Sequence, residues 1–438
     1  MTTLRLRTRN GMTPSSAARR HATMQVCGCT MDRAGLSLGS YSYFRLQGYF
    51  SAIRQGAARL ESDRRLLKRI CLLIFLWACA VRLVSFLAVD RFIAAEEKKG
   101  EMYNVARTIA ERGEFSDPYR EKMRTGPTAH VPPLYAYVLA AQIRLAPNEM
   151  FFRYANSLLA ALAISLLWGC LPWVSARLEL GATAGVVAGL YGASNPFAHW
   201  LDFEGVWDQN YTALGLALLL AYCFRRLRPV EPLRYAAVAG VLWGALILTQ
   251  PSTCMALCAF CLARFLCHGI RRRAILVRLA IMVLLAAAVI LPWTIRTRVV
   301  LGGWVPLIRS NFPLELALSF RDGAQPLLFE NLFQPGIRHP HLNMEEAKLA
   351  ASMGEFNYMK SRKADALAWI RAHPLGEGPR EGCRQRGFLQ FYIYFAFVLR
   401  LKIGFGYFVP ERLYATLNSF PLEAQDGQKD SACIFRGS

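Results

Sequence analysis

The chain has 438 residues, of which 54% are hydrophobic and only 19% charged, and its 52 Lys+Arg against 30 Asp+Glu give a formal net charge of +22. So much apolar content excludes intrinsic disorder, and the length excludes a small disulfide scaffold. Two classes remain, a basic nucleic-acid-binding protein and a multi-pass membrane protein, and the distribution of the apolar residues decides between them.

Residues 1–69 hold 13 Lys+Arg and 3 Asp+Glu, with no apolar periodicity. They read as a disordered basic tail, with Met12, Met24 and Met31 as alternative starts. Ile70–Val89 is a near-continuous apolar run, long enough to cross the hydrocarbon core and too long for a signal peptide. Its one charge is Arg82, which needs a partner or a snorkelling route. Further runs follow at Ser157–Ala176, Gly181–Trp200, Tyr211–Phe224, Tyr235–Thr249, Ser252–Leu266 and Leu279–Trp293, with a weaker one at Gly387–Val398. The expectation is an all-α polytopic membrane protein, not a partner of nucleic acid.

Lysine and arginine in short loops set orientation. The basic tail places the N-terminus in the cytoplasm of a cell inner membrane. Residues 90–132 then face outward, with eight basic and eight acidic residues. Leu134–Ala146 is short and contains Gln142 and Arg144, so it reads as an interfacial amphipathic helix. That choice puts both basic loops, 225–234 and 264–278, on the inner side. The domain reading is a tail over 1–69, a transmembrane core over 70–293 with an outer loop at 90–147, an outer polar segment at 294–386, and a last span with a divergent tail at 387–438.

Within the outer loop, Gly100–Gly113 reads as a helix, with Met102, Val105, Ala106 and Ile109 on one stripe and Glu101 in the first turn. The stretch Thr125-Gly-Pro-Thr-Ala-His-Val-Pro-Pro-Leu-Tyr135 is too rich in proline for helix or strand. Asp202, Glu204 and Asp208 form a second outward acidic group. Arg296 and Arg309 are the best phosphate partners, because arginine binds phosphate bidentately; Trp293 and Trp304 beside them also suit headgroup anchoring. His130 suits either a substrate contact or a loop hydrogen bond. Cys254, Cys258 and Cys261 share a helix face, where small apolar packing outweighs metal binding. No Walker A, GxSxG, HExxH or DxD motif is present.

The segment EMYNVARTIAERGEFSDPY followed by TGPTAHVPPLY resembles the first periplasmic loop of GT-C glycosyltransferases. It is most similar to bacterial glycosyltransferase family 39, related to dolichyl-phosphate-mannose–protein mannosyltransferases and lipid A aminoarabinose transferases. Ser194-Asn-Pro196, Gly240–Pro251, Leu291-Pro-Trp-Thr-Ile-Arg296 with Val305–Phe312, and Gly354-Glu-Phe-Asn-Tyr358 with Ile370-Arg-Ala-His-Pro374 resemble further motifs in the same order. The resemblance spans roughly residues 70–375. It implies a GT-C-like helical bundle that moves a sugar from a polyprenyl-phosphate donor to an acceptor hydroxyl at the outer face, with inversion. The implied catalytic base is the first-loop acid, here Glu101, with Glu96 and Glu97 as competitors and Asp202 and Asp208 as further acids. Arg296, Arg309, His130 and Tyr103 would line the substrate site. Implied partners are the lipid-linked donor and membrane lipids; a divalent ion stays open as cofactor, and no metal ligands are assigned. After Pro374 the pattern departs from the family, which continues into more spans, so a truncated or frame-shifted end is expected. A transporter or an inactive relative is the competing reading.

Overall fold

The computed structural model describes Gly56 and residues 60–88, 100–119, 123–195, 202–203, 206–227, 231–268, 273–305, 308–324, 331 and 337–373. Contacts divide the chain into two units after Gly56, and the helical fold is that of the second, Ala57–Ser438. Most of the basic tail, Glu96, Glu97, Glu204 and the expected last span at 387–398 lie outside the described residues.

All regular elements among the described residues are helical; one isolated antiparallel bridge joins Ser116 and Pro127. In chain order they are α1 (Arg64–Ala88), α2 (Glu101–Arg112), α3 (Pro133–Leu145), α4 (Glu149–Arg177), α5 (Ala182–Ser194), α6 (Gln209–Arg226), α7 (Arg234–Thr249), α8 (Thr253–His268), α9 (Arg273–Leu301), α10 (Phe312–Ser319), α11 (Met344–Met353) and α12 (Glu355–Ala372). The boundaries have local causes. Gly113 stops α2 in the left-handed region at φ 75°, which costs glycine nothing. Pro133 starts α3 where a helix needs no donor. Asn148 caps α4 by accepting the Phe151 N–H at 2.8 Å.

Three helices, α1, α4 and α9, are long and apolar enough to cross a membrane. Their surfaces suit lipid better than water. Leu72, Leu73, Leu76, Val84 and Leu87 of α1 are exposed, as are Val283, Leu284, Leu291 and Val299 of α9. Contiguous apolar surface of this extent is not left facing water. Helix α9 extends past Trp293 to Leu301, because Ile295, Val299 and Val300 continue its apolar character. Arg296 therefore sits on a helix and not in a polar loop.

Close helix contact rests on small residues. On α7, a side chain at Gly240 would stand 2.5 Å from the Met282 carbonyl, and one at Gly244 would stand 2.6 Å from Val289 Cβ. The spacing of four puts both glycines on the face toward α9, where two backbones approach. Buried Trp243, Met282 and Ala286 fill the same seam.

The two ends of the helices differ in chemistry. At one end Arg264 donates to the Leu227 carbonyl at 3.0 Å, Arg278 donates to the Glu231 carbonyl, and Arg226 lies over the Tyr235 ring. At the other end stand Glu101, Asp202, Asp208, Arg296 and Arg309. A second, smaller apolar cluster lies there. It joins Tyr119 of the first loop to Leu314 and Leu318 of α10, Ile337, Ala350 of α11, and Tyr358 and Met359 of α12. The late segment is thereby packed onto the first loop.

Candidate functional site

Glu101 opens α2 at the acidic end and is only 7% exposed. The start of α2 packs tightly, since a side chain at Gly100 would stand 3.3 Å from the Trp207 ring. Two imidazoles face the carboxylate. His130 Nε2 lies 2.9 Å from Oε2, and His339 Nε2 lies 3.6 Å from Oε1. Burial works to raise the carboxyl pKa; His130 first, then His339 and His341, work against it, and the result is a carboxyl held far below the usual range.

The outer nitrogens of both rings have partners. Burial keeps the Tyr119 phenol protonated well above its ordinary value, with the nearby carboxylates Glu355 and Glu101 adding to the shift. The phenol therefore donates to His130 Nδ1 across 3.3 Å. His339 Nδ1 accepts the His341 backbone N–H at 3.2 Å. With Nδ1 so engaged in each ring, Nε2 is the nitrogen that faces Glu101. His341 Nδ1–H in turn donates to the Tyr119 carbonyl at 2.6 Å. Burial lowers His339 to about 4, with Glu101 opposing and His130 and His341 adding, so this ring is neutral at pH 7.

The 128–130 backbone that carries His130 is gripped from three sides. Arg296 of α9 donates to the carbonyls of Thr128 and Phe115, the latter at 3.0 Å, and lies over the Trp293 and Phe115 rings. Arg309 Nε donates to the His130 carbonyl at 2.8 Å. Buried Glu355, in the first turn of α12, accepts the Thr128 hydroxyl, the Ala129 N–H at 2.8 Å and the Ser310 hydroxyl at 2.6 Å. Ahead of this segment Asp117, at φ 56°, accepts the N–H groups of Thr125 and Gly126 and pairs with Arg112.

Asp202, Asp208 and Tyr103 have partners of their own. Asp202 meets Arg82 at 2.7 Å, both buried, and Arg82 also donates to the Ala78, Ala193 and Gly192 carbonyls. Buried Asp208 precedes α6 and accepts the Thr212 hydroxyl at 2.7 Å. Burial raises its carboxyl pKa, while the Thr212 hydroxyl, its own backbone and Arg309 oppose the rise. Tyr103 reaches Glu149 at 3.4 Å and packs on Phe152, away from the imidazoles; burial, with Glu149 adding, pushes its phenol to about 12. Glu101, His130 and Arg309 thus belong to one neighbourhood, and Asp208 is within electrostatic reach of Arg309. Asp202 is bound to Arg82, and Arg296 is occupied by carbonyls and rings.

No family model matches the chain, and no curated protein or solved structure matches it.

What remains is the chemistry of the residues themselves. Sequence reasoning did not single out His339 and His341 or assign Glu355 a partner. The signal for the first two was available as His-Pro-His over 339–341, imidazoles two apart in a polar stretch. Among the described residues no set of three or more His, Cys, Asp or Glu side chains is placed to hold one metal ion. The arrangement can keep a carboxylate ionised and aimed at any ordinary pH, with a cation, Arg309, that holds the His130 carbonyl through Nε and lies 3.9 Å from Glu315 through Nη2.

Proposed function

We propose that the chain is a polytopic membrane glycosyltransferase. On this reading it moves a sugar from a polyprenyl-phosphate donor to an acceptor hydroxyl at the outer face of the membrane. The observation that carries the reading is the buried Glu101 carboxylate facing His130 and His339, with Arg309 on the His130 carbonyl and Asp208 within electrostatic reach of Arg309. The ordered motif resemblance to GT-C enzymes supports it.

The chemistry is an in-line displacement. The acceptor oxygen attacks the anomeric carbon as the bond to the lipid phosphate breaks. Glu101 takes the acceptor proton, and Arg309 steadies the departing phosphate. A carboxylate this acidic is a weak base by the usual matching rule. It suffices where the transition state resembles an oxocarbenium ion, because the attacking oxygen becomes strongly acidic once it bonds to that carbon.

One observation favours a second assignment of the base. Asp208 is buried and its pKa is raised, which makes it the stronger proton acceptor of the two. The test is transfer from labelled polyprenyl-phosphate sugars by the full chain in proteoliposomes, comparing Glu101→Gln with Asp208→Asn. If Glu101 is the base, its variant loses about 100-fold or more in kcat and the wild type keeps its rate down to acidic pH. If Asp208 is the base, the acid limb lies above the ordinary aspartate value and its variant is the inactive one. No transfer by the wild type with any such donor rejects the enzyme reading in favour of a transporter or inactive relative.

A further inference from the structure

Glu355 lies 254 positions from Glu101 in sequence and does not touch it. Its carboxylate is 6% exposed and carries three donors, two of them on the 128–130 backbone or its side chains and one on Ser310. The same strand of contacts continues on both sides. Ser310 N–H donates to the Ala129 carbonyl at 2.9 Å, and the His130 N–H donates to the Thr128 hydroxyl at 2.9 Å. Thr128 Oγ1 therefore gives a proton to Glu355 and accepts one from His130, and the carboxylate is coupled to the histidine through one hydroxyl. Its place in the first turn of α12 also suits a carboxylate to the positive end of the helix dipole.

We propose that Glu355 is a positioning residue: from the first turn of α12 it fixes the Thr128–His130 backbone and so holds the His130 imidazole against Glu101. This role rests on the transfer reading for its consequence, since a displaced imidazole would leave Glu101 unaimed. It gives the 337–373 segment a function. The small apolar cluster of Tyr119, Leu318, Tyr358 and Met359 docks that segment, and Glu355 adds a polar contact to the 128–130 backbone beside those of His339 to Glu101 and His341 to the Tyr119 carbonyl.

The test uses the full chain in lipid nanodiscs with two readouts. One is the rate at which diethylpyrocarbonate modifies His130, read by peptide mass spectrometry; the other is the split between kcat and donor KM in sugar transfer. His130 is 1% exposed and should be protected in the wild type, whereas exposed His373 serves as the reference. Glu355→Ala should raise the His130 rate about tenfold with His373 unchanged, and lower kcat while leaving KM in place. Glu355→Gln keeps one acceptor oxygen for the Ala129 N–H and Ser310, and should restore most of the protection. Tyr358→Phe removes a hydroxyl bound to Glu346 on the neighbouring helix without touching the loop, and should leave His130 protected. If Glu355→Ala exposes every histidine alike, Thr128→Val carries the test instead, since it is nearly isosteric and removes only the bridging hydroxyl. His130 still protected in the folded variants overturns the proposal, as does equal deprotection by Tyr358→Phe. A wild type that transfers no sugar rejects the transfer reading, and the protection rates alone then decide whether Glu355 sets His130.

Discussion

Arg82 Nη2 meets Asp202 Oδ2 at 2.7 Å, with both side chains nearly withdrawn from solvent. The pair ties the end of α1 to the segment ahead of α6, and Asn210 holds the Asp202 carbonyl at 3.0 Å. A charge inside an apolar run thus has its partner, and the partner is one of the acids that the sequence offered for catalysis.

Removing half of that pair should be worse than removing both halves. Arg82→Met leaves Asp202 buried and unpaired, a loss of about 3–5 kcal/mol. The double variant Arg82→Met/Asp202→Leu should recover more than half of it. Thermal unfolding of detergent-solubilised protein measures the difference. A double variant no more stable than Arg82→Met would mean that the pair is not the stabilising unit.

Acid should weaken the late segment's grip on the first loop in two stages. His339 is protonated only near pH 4 in the folded chain, against an ordinary value of 6.5. Between those values the unfolded chain binds more protons, so stability falls as pH falls through that window. At pH 5 the loss is about 2 kcal/mol. Glu101, held far below its ordinary value, adds a second loss as pH drops below the usual carboxylate range. The groups facing His339 are Glu101, His130 and His341. Melting curves at pH 7 and pH 5 should show a smaller drop for His339→Gln than for the wild type, and equal drops would contradict this.

The α7–α9 seam should not tolerate a methyl group. Gly240→Ala and Gly244→Ala each place Cβ within 2.6 Å of a heavy atom of α9, and each should cost about 1–3 kcal/mol. Gly215→Ala is the control, because it meets only the flexible tip of Leu246 at 3.1 Å. Chemical unfolding of the three variants should separate the pair from the control.

Arg296 and Arg309 should separate by what they lose. Arg296→Lys forfeits two carbonyl contacts and the stacking on Trp293 and Phe115, and should lower the melting temperature by several degrees while surviving protein keeps its donor KM. Arg309→Lys loses one contact, that of Nε to the His130 carbonyl, so it should lower the melting temperature less than Arg296→Lys and raise the donor KM about tenfold, since bidentate phosphate geometry is lost. Kinetics and melting on the same preparations check both. A donor KM that moves with Arg296 and not Arg309 would reverse their roles.

The helices were legible where apolar runs were long, as at Ile70–Val89, and α2 was legible from its stripe, its first-turn acid and Gly113. The neighbourhood of Glu101 was readable only in part. Glu101, His130 and the TGPTAH loop are near each other in sequence and could be taken together. His339 and Glu355 reach the same place only through the packing of Tyr119 against α10, α11 and α12, and sequence periodicity does not report a contact across more than 200 residues. Arg296 read as a phosphate ligand because arginine beside tryptophan fits both anion binding and a lipid interface. That its guanidinium faces carbonyls depends on where Thr128 and Phe115 fold.

The clamp on Thr128 has a consequence for biosynthesis. A ribosome emits Glu101 and His130 long before His339 and Glu355, and the helices from α4 to α9 are synthesised in between. Through that interval the first loop has its carboxylate but lacks one of its imidazoles and the buried anion that fastens the 128–130 backbone. A nascent chain arrested between residues 302 and 354 would carry α1 to α9 and still be unable to assemble this site, so competence would arrive in one late step.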